Sequence, residues 1–264
     1  MTNKKNIFYT LRFAAAMCFI GHGAFGIITK EIWCNYFAVF GIGREMAYRL
    51  MPVVGTVDLI MGLSILIYPT RLVFGWLLIW GAITAFLRPM SGEPFGEFVE
   101  RAGNYGVPVA MLILCGWERP YLKNLFSLMS PSGPMDEEAN AKVKKCLQLV
   151  VFMLLLGHGG LNIIEKKAIM HQYTTLGFSD PVMVARLVGV FEVAAAFSIL
   201  ITPIRSVVFV LLIWKAGTEL FYPHWELFEW IERGASYGAL LALWFVLPQN
   251  KFWLKTLQPQ AEGV

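Results

Sequence analysis

The chain has 264 residues, of which 57% are hydrophobic and 15% are charged, and its formal net charge is +4. A soluble domain has about 25% charged residues, so this sequence has too few charges to cover a globule that faces water. Its basic residues form no run long enough for a nucleic-acid surface. The nine tryptophans and twenty phenylalanines suit helices anchored at lipid headgroups. The composition therefore predicts an all-α integral membrane protein whose first partner is the lipid bilayer.

The chain opens with a basic segment and an apolar stretch that is too long for the hydrophobic region of a cleaved signal peptide. We interpret this stretch as the first of eight membrane-spanning helices, because about 17–25 apolar residues cross the hydrocarbon layer. Prolines in tight turns separate neighbouring spans in each half. The predicted spans are 7–28, 51–68, 72–88, 103–117, 146–164, 182–201, 206–222 and 235–248.

One polar segment, residues 118–145, divides the spans into two sets of four. It predicts a first four-helix repeat over 1–117, a cytoplasmic linker, and a second four-helix repeat with a short tail over 146–264. Basic residues are more frequent on the side that holds both termini and the linker, and the positive-inside rule makes that side cytoplasmic. We therefore expect a multi-pass protein of the cell inner membrane with both termini in the cytoplasm.

An internal repeat is the most specific signal in the sequence. Polar residues of the first half return in the same order in the second, at an offset of 136 residues for the histidine and 132 for the arginine. Each unit has an even number of spans, so the two repeats are expected to be parallel. The matched pairs are His22 with His158, Asp58 with Glu192, Trp80 with Trp214, Thr84 with Thr218, Arg101 with Arg233, and Tyr105 with Tyr237.

These polar residues are expected at one depth, in the outer half of the bundle, where charged groups are costly and usually functional or paired. We predict a proton-handling or catalytic set consisting of His158, Glu192, Glu219, His22 and Asp58. The predicted ligand-binding residues are Trp80, Thr84, Arg101, Tyr105, Trp214, Thr218, Arg233 and Tyr237. The second repeat is favoured as the working site, because Glu219 adds a carboxylate there and Lys215 lies one turn before it.

Structural alternatives stay open for each of these residues. Asp58 or Glu192 can be a buried carboxylate neutralised by Arg101 or Arg233. The histidines can simply hydrogen-bond between close-packed helices, and the tryptophans can serve packing. Segments 91–101 and 223–233 alternate aromatic residues with glutamate, which predicts a short amphipathic helix on the outer interface in each half.

Several chemistries lack their sequence signals. Cys18, Cys34, Cys115 and Cys146 form no C-x-x-C pair, which argues against thiol–disulfide exchange. No hydrolase, nucleotide-binding or metalloprotease motif is present, and we predict no metal site. A haem or metal held between the two repeated histidines is a weaker alternative.

The sequence resembles the DoxX family of small four-helix membrane proteins. The residues that carry the resemblance are His22, Gly23 and Lys30, their counterparts in the second half, and an acidic residue before a Leu/Ile-rich stretch that ends in a turn with arginine, as from Asp58 to Arg71. The chain departs from the family's usual form in being duplicated and in having aspartate at position 58. The resemblance implies an association with quinone-linked or other membrane redox chemistry.

We therefore expect a membrane subunit that binds a lipophilic redox molecule, most plausibly a quinone, in the outer half of the bundle, with other subunits of a redox complex as partners. His22 with Asp58, or His158 with Glu192, would supply a hydrogen-bond donor and a proton acceptor. Whether the chain is itself an enzyme stays open. The rival interpretations are a transporter or binder of a small solute or lipid, and a structural subunit of a larger membrane complex.

Overall fold

The computed structural model of the chain describes residues 4–116, 122–133, 135–220 and 227–248. These residues form helices and no β-strand. Five of the helices, α1, α3, α4, α8 and α10, are long and apolar enough to cross a membrane. The helices are α1 (Lys4–Ile27), α2 (Trp33–Ala38), α3 (Arg44–Ile67), α4 (Arg71–Met90), α5 (Gly96–Glu100), α6 (Ala102–Leu114), α7 (Leu122–Leu125), α8 (Glu137–Ile163), α9 (Lys167–Thr175), α10 (Pro181–Ile201), α11 (Arg205–Leu220), α12 (Leu227–Glu232) and α13 (Gly234–Val246).

Two of the long helices begin earlier than the apolar pattern predicts. The helix α3 starts at Arg44, ahead of the predicted span 51–68, and α8 starts at Glu137, inside the predicted linker 118–145. Asp136 caps α8 by accepting a hydrogen bond from the backbone N–H of Ala139 at 2.5 Å. Apolar composition marks the part of a helix that suits lipid, and polar helix-forming residues extend it beyond that part.

The remaining predicted spans match shorter helices. Both α6 and α13 have 13 residues and α11 has 16, whereas about 17–25 residues cross the hydrocarbon layer. The predicted end of the seventh span, at residues 221–222, and the C-terminal tail from residue 249 lie outside the described residues.

Four helices, α1, α6, α8 and α13, form the centre of the molecule and pack against one another. The outer helices pack onto this centre in matching pairs, with α3 on α1, α4 on α6, α10 on α8 and α11 on α13. The shared core is apolar and includes Phe8, Leu11, Met111, Leu147 and Leu240. The arrangement places one cavity-forming set of helices on each side of the central four.

The same kind of contact joins the two helices of each long pair near the C-terminal end of α3 or α10. Arg12 on α1 donates a hydrogen bond to the carbonyl of Ile65, near the end of α3, at 2.7 Å. Gln148 on α8 donates to the carbonyl of Ile199, near the end of α10, at 2.9 Å. Each side chain satisfies carbonyl groups that have no partner inside their own helix.

The short helices α5 and α12 pack between the two halves of the chain, and their glutamates are buried in the protein. Glu97 is only 1% exposed, whereas the exposed side chains here are apolar, as at Phe95 and Leu227. The amphipathic pattern points its glutamates inward, because cations from the opposite half neutralise them there.

Glycines in the two Gly-His-Gly motifs allow this burial. A Cβ atom added to Gly21 would lie 2.4 Å from the backbone nitrogen of Glu232, and one added to Gly157 would lie 2.2 Å from that of Glu100. The end of each short helix therefore touches the backbone of the first helix of the opposite half, next to its histidine.

Candidate functional site

In the first half, a histidine and a tryptophan hold one buried carboxylate. His22 Nδ1 on α1 lies 2.7 Å from Asp58 Oδ2 on α3, and Trp80 on α4 donates its indole N–H to Asp58 Oδ1 at 2.8 Å. Asp58 is fully buried. Both carboxylate oxygens are thus bonded, and the imidazole is held with Nε2 as its remaining hydrogen-bonding atom.

The second half repeats this arrangement. His158 on α8 is hydrogen-bonded through Nδ1 to Glu192 on α10, and Trp214 on α11 donates to Glu192 Oε1 at 3.0 Å. Lys215 adds a cation 3.5 Å from the same oxygen. The histidine–acid pairs expected from the repeat are therefore formed in both halves.

Close helix packing explains why these side chains meet. An added Cβ on Gly23 would lie 2.7 Å from the carbonyl oxygen of Gly55, and one on Gly159 would lie 2.9 Å from that of Gly189. Helices that approach through glycine bring their backbones together. The acid three residues after the glycine of α3 or α10 then faces the histidine on the neighbouring helix.

The alternative pairing of Asp58 with Arg101, and of Glu192 with Arg233, is wrong. Arg101 contacts Glu97 at 2.5 Å and Glu100 at 3.3 Å. Since histidine and tryptophan already occupy the carboxylate of Asp58, the arginine at the start of α6 pairs with the acids of α5 just before it.

The arginine of the second half bridges the two halves of the chain. Arg233 Nη1 lies 2.6 Å from Glu100 Oε1, and Arg233 Nε lies 3.0 Å from Glu219 Oε2. Lys215 lies 3.0 Å from Glu219, as the sequence suggested. The corresponding positions of the first half are Gly81 and Ala85, so this buried pair belongs to the second half alone.

Two more ion pairs join the first half of the chain to the second, just after the C-terminal ends of α1 and α8. Lys30 binds Glu229, and Lys166 binds Glu97. Burial favours a higher pKa for Glu97, but the positive charges of Arg101 and its neighbours outweigh burial, and the pKa lies below its usual range. Glu97 is therefore a charged part of a mixed-sign cluster.

The first histidine lies in an aromatic cavity of about 620 Å³. The short helix α2 supplies one wall, and the rings of His22 and Trp33 lie 4.6 Å apart between centroids. Sequence analysis missed α2, although the run Trp33-Cys34-Asn35-Tyr36-Phe37 carries aromatic residues at helical spacing. The lining residues are His22, Trp33, Tyr36, Phe37, Phe40, Val54, Trp80, Thr84, Ala85, Leu87, Arg88, Arg101, Asn104 and Glu232.

The second histidine lies in a cavity of about 690 Å³. The helix α9 and the residues after it form the wall that α2 forms in the first half. The lining residues are His158, Gln172, Tyr173, Leu176, Phe178, Val184, Val188, Glu192, Trp214, Thr218 and Glu219. This cavity presents two carboxylates and no lysine or arginine.

The predicted ligand-binding residues divide into two groups. Thr84 and Thr218 line the cavities, and each hydroxyl donates to the carbonyl of the tryptophan four residues before it. Tyr105 and Tyr237 line neither cavity. Tyr105 donates to the carbonyl of Phe98 at 3.2 Å, and the hydroxyl of Tyr237 has no hydrogen-bond partner among the described residues.

One cluster has the residue types of a metal site. Ligand atoms of Glu100, His158 and Glu219 lie within 4.8 Å of one another. Arg233 already bridges the two glutamates, and a divalent cation would be repelled by this guanidinium. His22 and His158 line separate cavities, each bound by its own carboxylate, which does not favour a haem or metal between them.

No protein-family model, no curated protein and no solved structure matches this chain. The resemblance to the DoxX family therefore rests on the residues quoted above and stays a prediction. What the site can do follows from its own contacts, charges and cavities.

Proposed function

We propose that the chain crosses the inner membrane eight times, as two parallel four-helix repeats of DoxX-like type with both termini in the cytoplasm. The matched helix pairs and the paired histidine–acid–tryptophan sets support this. In each repeat the fourth span would be the 13-residue helix, and the short helix before it would lie at the outer end of the bundle. Lys4 donates a hydrogen bond to the carbonyl of Ser132 at 3.2 Å, so the N-terminal helix and the linker lie at the same end.

We propose that the chain binds the ring of a lipophilic redox molecule, most simply a quinone, in the first histidine cavity. The observation that carries this proposal is the His22–Asp58–Trp80 set at the wall of an aromatic cavity. Concave sites with apolar walls and a few convergent polar groups suit small organic ligands. Aromatic walls from Trp33, Tyr36 and Trp80 match the flat ring of a quinone.

Polar groups with unused bonding capacity face this cavity. The Asn104 side-chain amide has no hydrogen-bond partner among the described residues. Arg88 lies 3.6 Å from Glu93 and 3.5 Å from Glu97, at the long limit for an ion pair, with its guanidinium 5.3 Å from the ring centre of Tyr36. Asn104 and Arg88 can donate hydrogen bonds to the carbonyl oxygens of a quinone.

His22 gives the site a proton acceptor. With Nδ1 donating to Asp58, Nε2 is free to accept the hydroxyl proton of a bound quinol, and the carboxylate stabilises the imidazolium that forms. We assign binding and proton transfer to this chain, and electron transfer to a redox subunit of a larger membrane complex.

The sequence favoured the second repeat as the working site, but its contacts give less support. Lys215 and Arg233 already engage the extra carboxylate of Glu219. The first cavity keeps Asn104 and a loosely paired Arg88 for a ligand, so we place the quinone there.

A transporter of a small polar solute is the second candidate, and one observation favours it. A mixed-charge cavity of about 1,140 Å³ lies between the halves and includes Lys30, Lys166, Glu97 and Glu229 in its lining. Transport also needs access from the other side, where the described core is apolar. The contacts therefore support a binding protein or complex subunit better than a transporter.

Purification of the full chain in mild detergent, followed by organic extraction and chromatography, tests the proposal. We expect about one quinone per chain. His22→Ala should lose it, whereas the matched variant His158→Ala should keep it at similar thermal stability. Absence of a stoichiometric quinone from the folded protein, or equal loss from both variants, would contradict the assignment.

A further inference from the structure

We propose that the second histidine cavity binds an organic cation, a quaternary or protonated amine attached to an apolar group. This site and ligand class lie outside the quinone proposal, which concerns the other cavity. The inference rests on the aromatic walls of the second cavity, the charges that face it, and its contrast with the first.

Three aromatic rings line the second cavity, from Tyr173, Phe178 and Trp214. The centroids of Tyr173 and Phe178 lie 6.0 Å apart with the rings nearly perpendicular, at 80°. Ring faces attract organic cations electrostatically, and walls of several aromatic rings recognise quaternary ammonium groups. The cavity thus has the side-chain types that this chemistry requires.

The aromatic wall is held in place by a hydrogen-bonded chain. Tyr173 donates its hydroxyl to Asn162 Oδ1 at 2.8 Å, and the Asn162 amide donates to the carbonyl of His158 at 2.9 Å. Phe178 is 47% exposed, so part of its ring is uncovered. One ring is fixed to the histidine helix, and another is available to close on a ligand.

The charges facing the cavity have one sign. Glu192 and Glu219 line it, whereas Lys215 is fully buried and is not part of the lining. Lys215 lies 3.0 Å from Glu219 and 3.5 Å from Glu192, and Arg233 lies 3.0 Å from Glu219. Both cations are outside the lining, so the charged side chains that a ligand would meet are carboxylates, which favours a cation over an anion.

The first cavity differs in charge, although it has the same histidine–acid–tryptophan set. Its lining includes Arg88, Arg101 and Glu232, and its residues equivalent to Lys215 and Glu219 are Gly81 and Ala85. Two arginines and one glutamate thus line the first cavity, whereas two glutamates and no lysine or arginine line the second. The first suits an acceptor-bearing ring, and the second suits a cation.

The remaining lining indicates the shape of the ligand. Leu176, Val184 and Val188 form an apolar side, and the Gln172 amide, which has no hydrogen-bond partner among the described residues, provides one polar contact. The ammonium group would lie among the rings and carboxylates, and its apolar substituent would lie along the aliphatic side.

Choline and its uncharged isostere 3,3-dimethylbutanol test the inference, because they share a shape and differ in charge. Equilibrium dialysis of the purified full chain against labelled choline should show saturable binding of one choline per chain. The neutral isostere should compete several-fold more weakly, since it lacks the charge that ring faces and carboxylates attract. Absence of saturable choline binding, or equal affinity for the isostere, would overturn the inference.

Matched variants locate the binding. Phe178→Leu should weaken choline binding several-fold, and Phe40→Leu in the first cavity should leave it unchanged. The double variant Lys215→Gly/Glu219→Ala, which copies the first half, should lose the preference for the cation. Equal weakening by Phe178→Leu and Phe40→Leu would overturn the site. Phe178 is exposed, so Phe178→Leu should fold and test the site even if the double variant at the buried positions 215 and 219 does not fold.

Discussion

His22 and Asp58, on different helices, are joined by a hydrogen bond of 2.7 Å, and Arg101 pairs with other acids. The carboxylate is thus held by an imidazole and an indole, and the ion pairs that join the halves lie beside it. Asp58 is therefore not one half of a charge pair with Arg101 that fixes helix register.

A double-mutant cycle on Asp58 and Arg101 tests this separation. Asp58→Asn should lower the free energy of unfolding by about 1–3 kcal/mol, because the acceptor of His22 and Trp80 is weakened. Arg101→Leu should cost roughly 3–5 kcal/mol, because buried glutamates lose their partner. The two losses should add in the double variant, measured by denaturation in detergent. Recovery of stability in the double variant would mean that the residues form a direct pair.

The approach of the short helices to the histidine motifs predicts a sharp response to added methyl groups. Gly21→Ala and Gly157→Ala should each destabilise the protein by about 1–3 kcal/mol, because the new Cβ would overlap the backbone of Glu232 or Glu100. Gly160→Ala is the control, since nothing lies within 4 Å of its Cβ, and it should stabilise α8 by about 0.5–1 kcal/mol. Denaturation midpoints measure all three. Equal effects would contradict the packing.

The acids of α5 and α12 predict a loss of stability in acid. The pKa values of Glu97, Glu100 and Glu232 lie below their usual range, because nearby cations outweigh the effect of burial. An acid whose pKa is lower in the folded state stabilises the folded protein, and this contribution is complete above the acid's unfolded pKa of about 4.3. The contribution is lost as the pH falls from there through the pKa of the folded state. Unfolding free energy should therefore be level near neutral pH and fall below about pH 4.

Matched substitutions separate these acids from exposed ones. Glu97→Gln should lower stability at neutral pH and flatten the acid dependence. Glu45→Gln, at an exposed pair with Arg49, should change neither. Acid curves of identical slope for Glu97→Gln and the unaltered protein would show that Glu97 is not held charged by its neighbours.

Cysteine labelling tests the proposed orientation. In a background with the four native cysteines replaced by serine, Ser132→Cys should react with a membrane-impermeant reagent only after the cells are opened, because the linker is expected in the cytoplasm. Glu45→Cys, at the start of α3, should react in intact cells. The reverse pattern would invert the topology.

The repeat in the sequence predicted the two histidine–acid pairs correctly, because matched residues on neighbouring spans must meet at matched depths. The alternative pairing of Asp58 with Arg101, which rested on opposite charge, is wrong. Residue spacing does not show that Trp80, one helix further on, reaches the carboxylate first. The pairing of Lys215 with Glu219 was predictable, since four residues separate them on one helix.

Two parts of the site were beyond the sequence pattern. The helix α2, with six residues, is too short to resemble a span, although its Trp33 and Tyr36 form a wall of the first cavity. The burial of α5 and α12 depends on lysines and arginines from the opposite half. Such long-range pairs leave no periodic signal, and an inward acidic face is identical in sequence to an outward one.

Photolabelling with an azido-substituted quinone tests the central claim most directly, because it reports where a quinone ring lies in the folded chain. Labelled peptides from the purified protein should map to residues 33–40 and 80–88 around His22, and unlabelled quinone should suppress the label. His22→Ala should reduce the label, and His158→Ala should leave it. Label confined to residues 172–188 of the second cavity, or label that unlabelled quinone does not displace, would contradict the account.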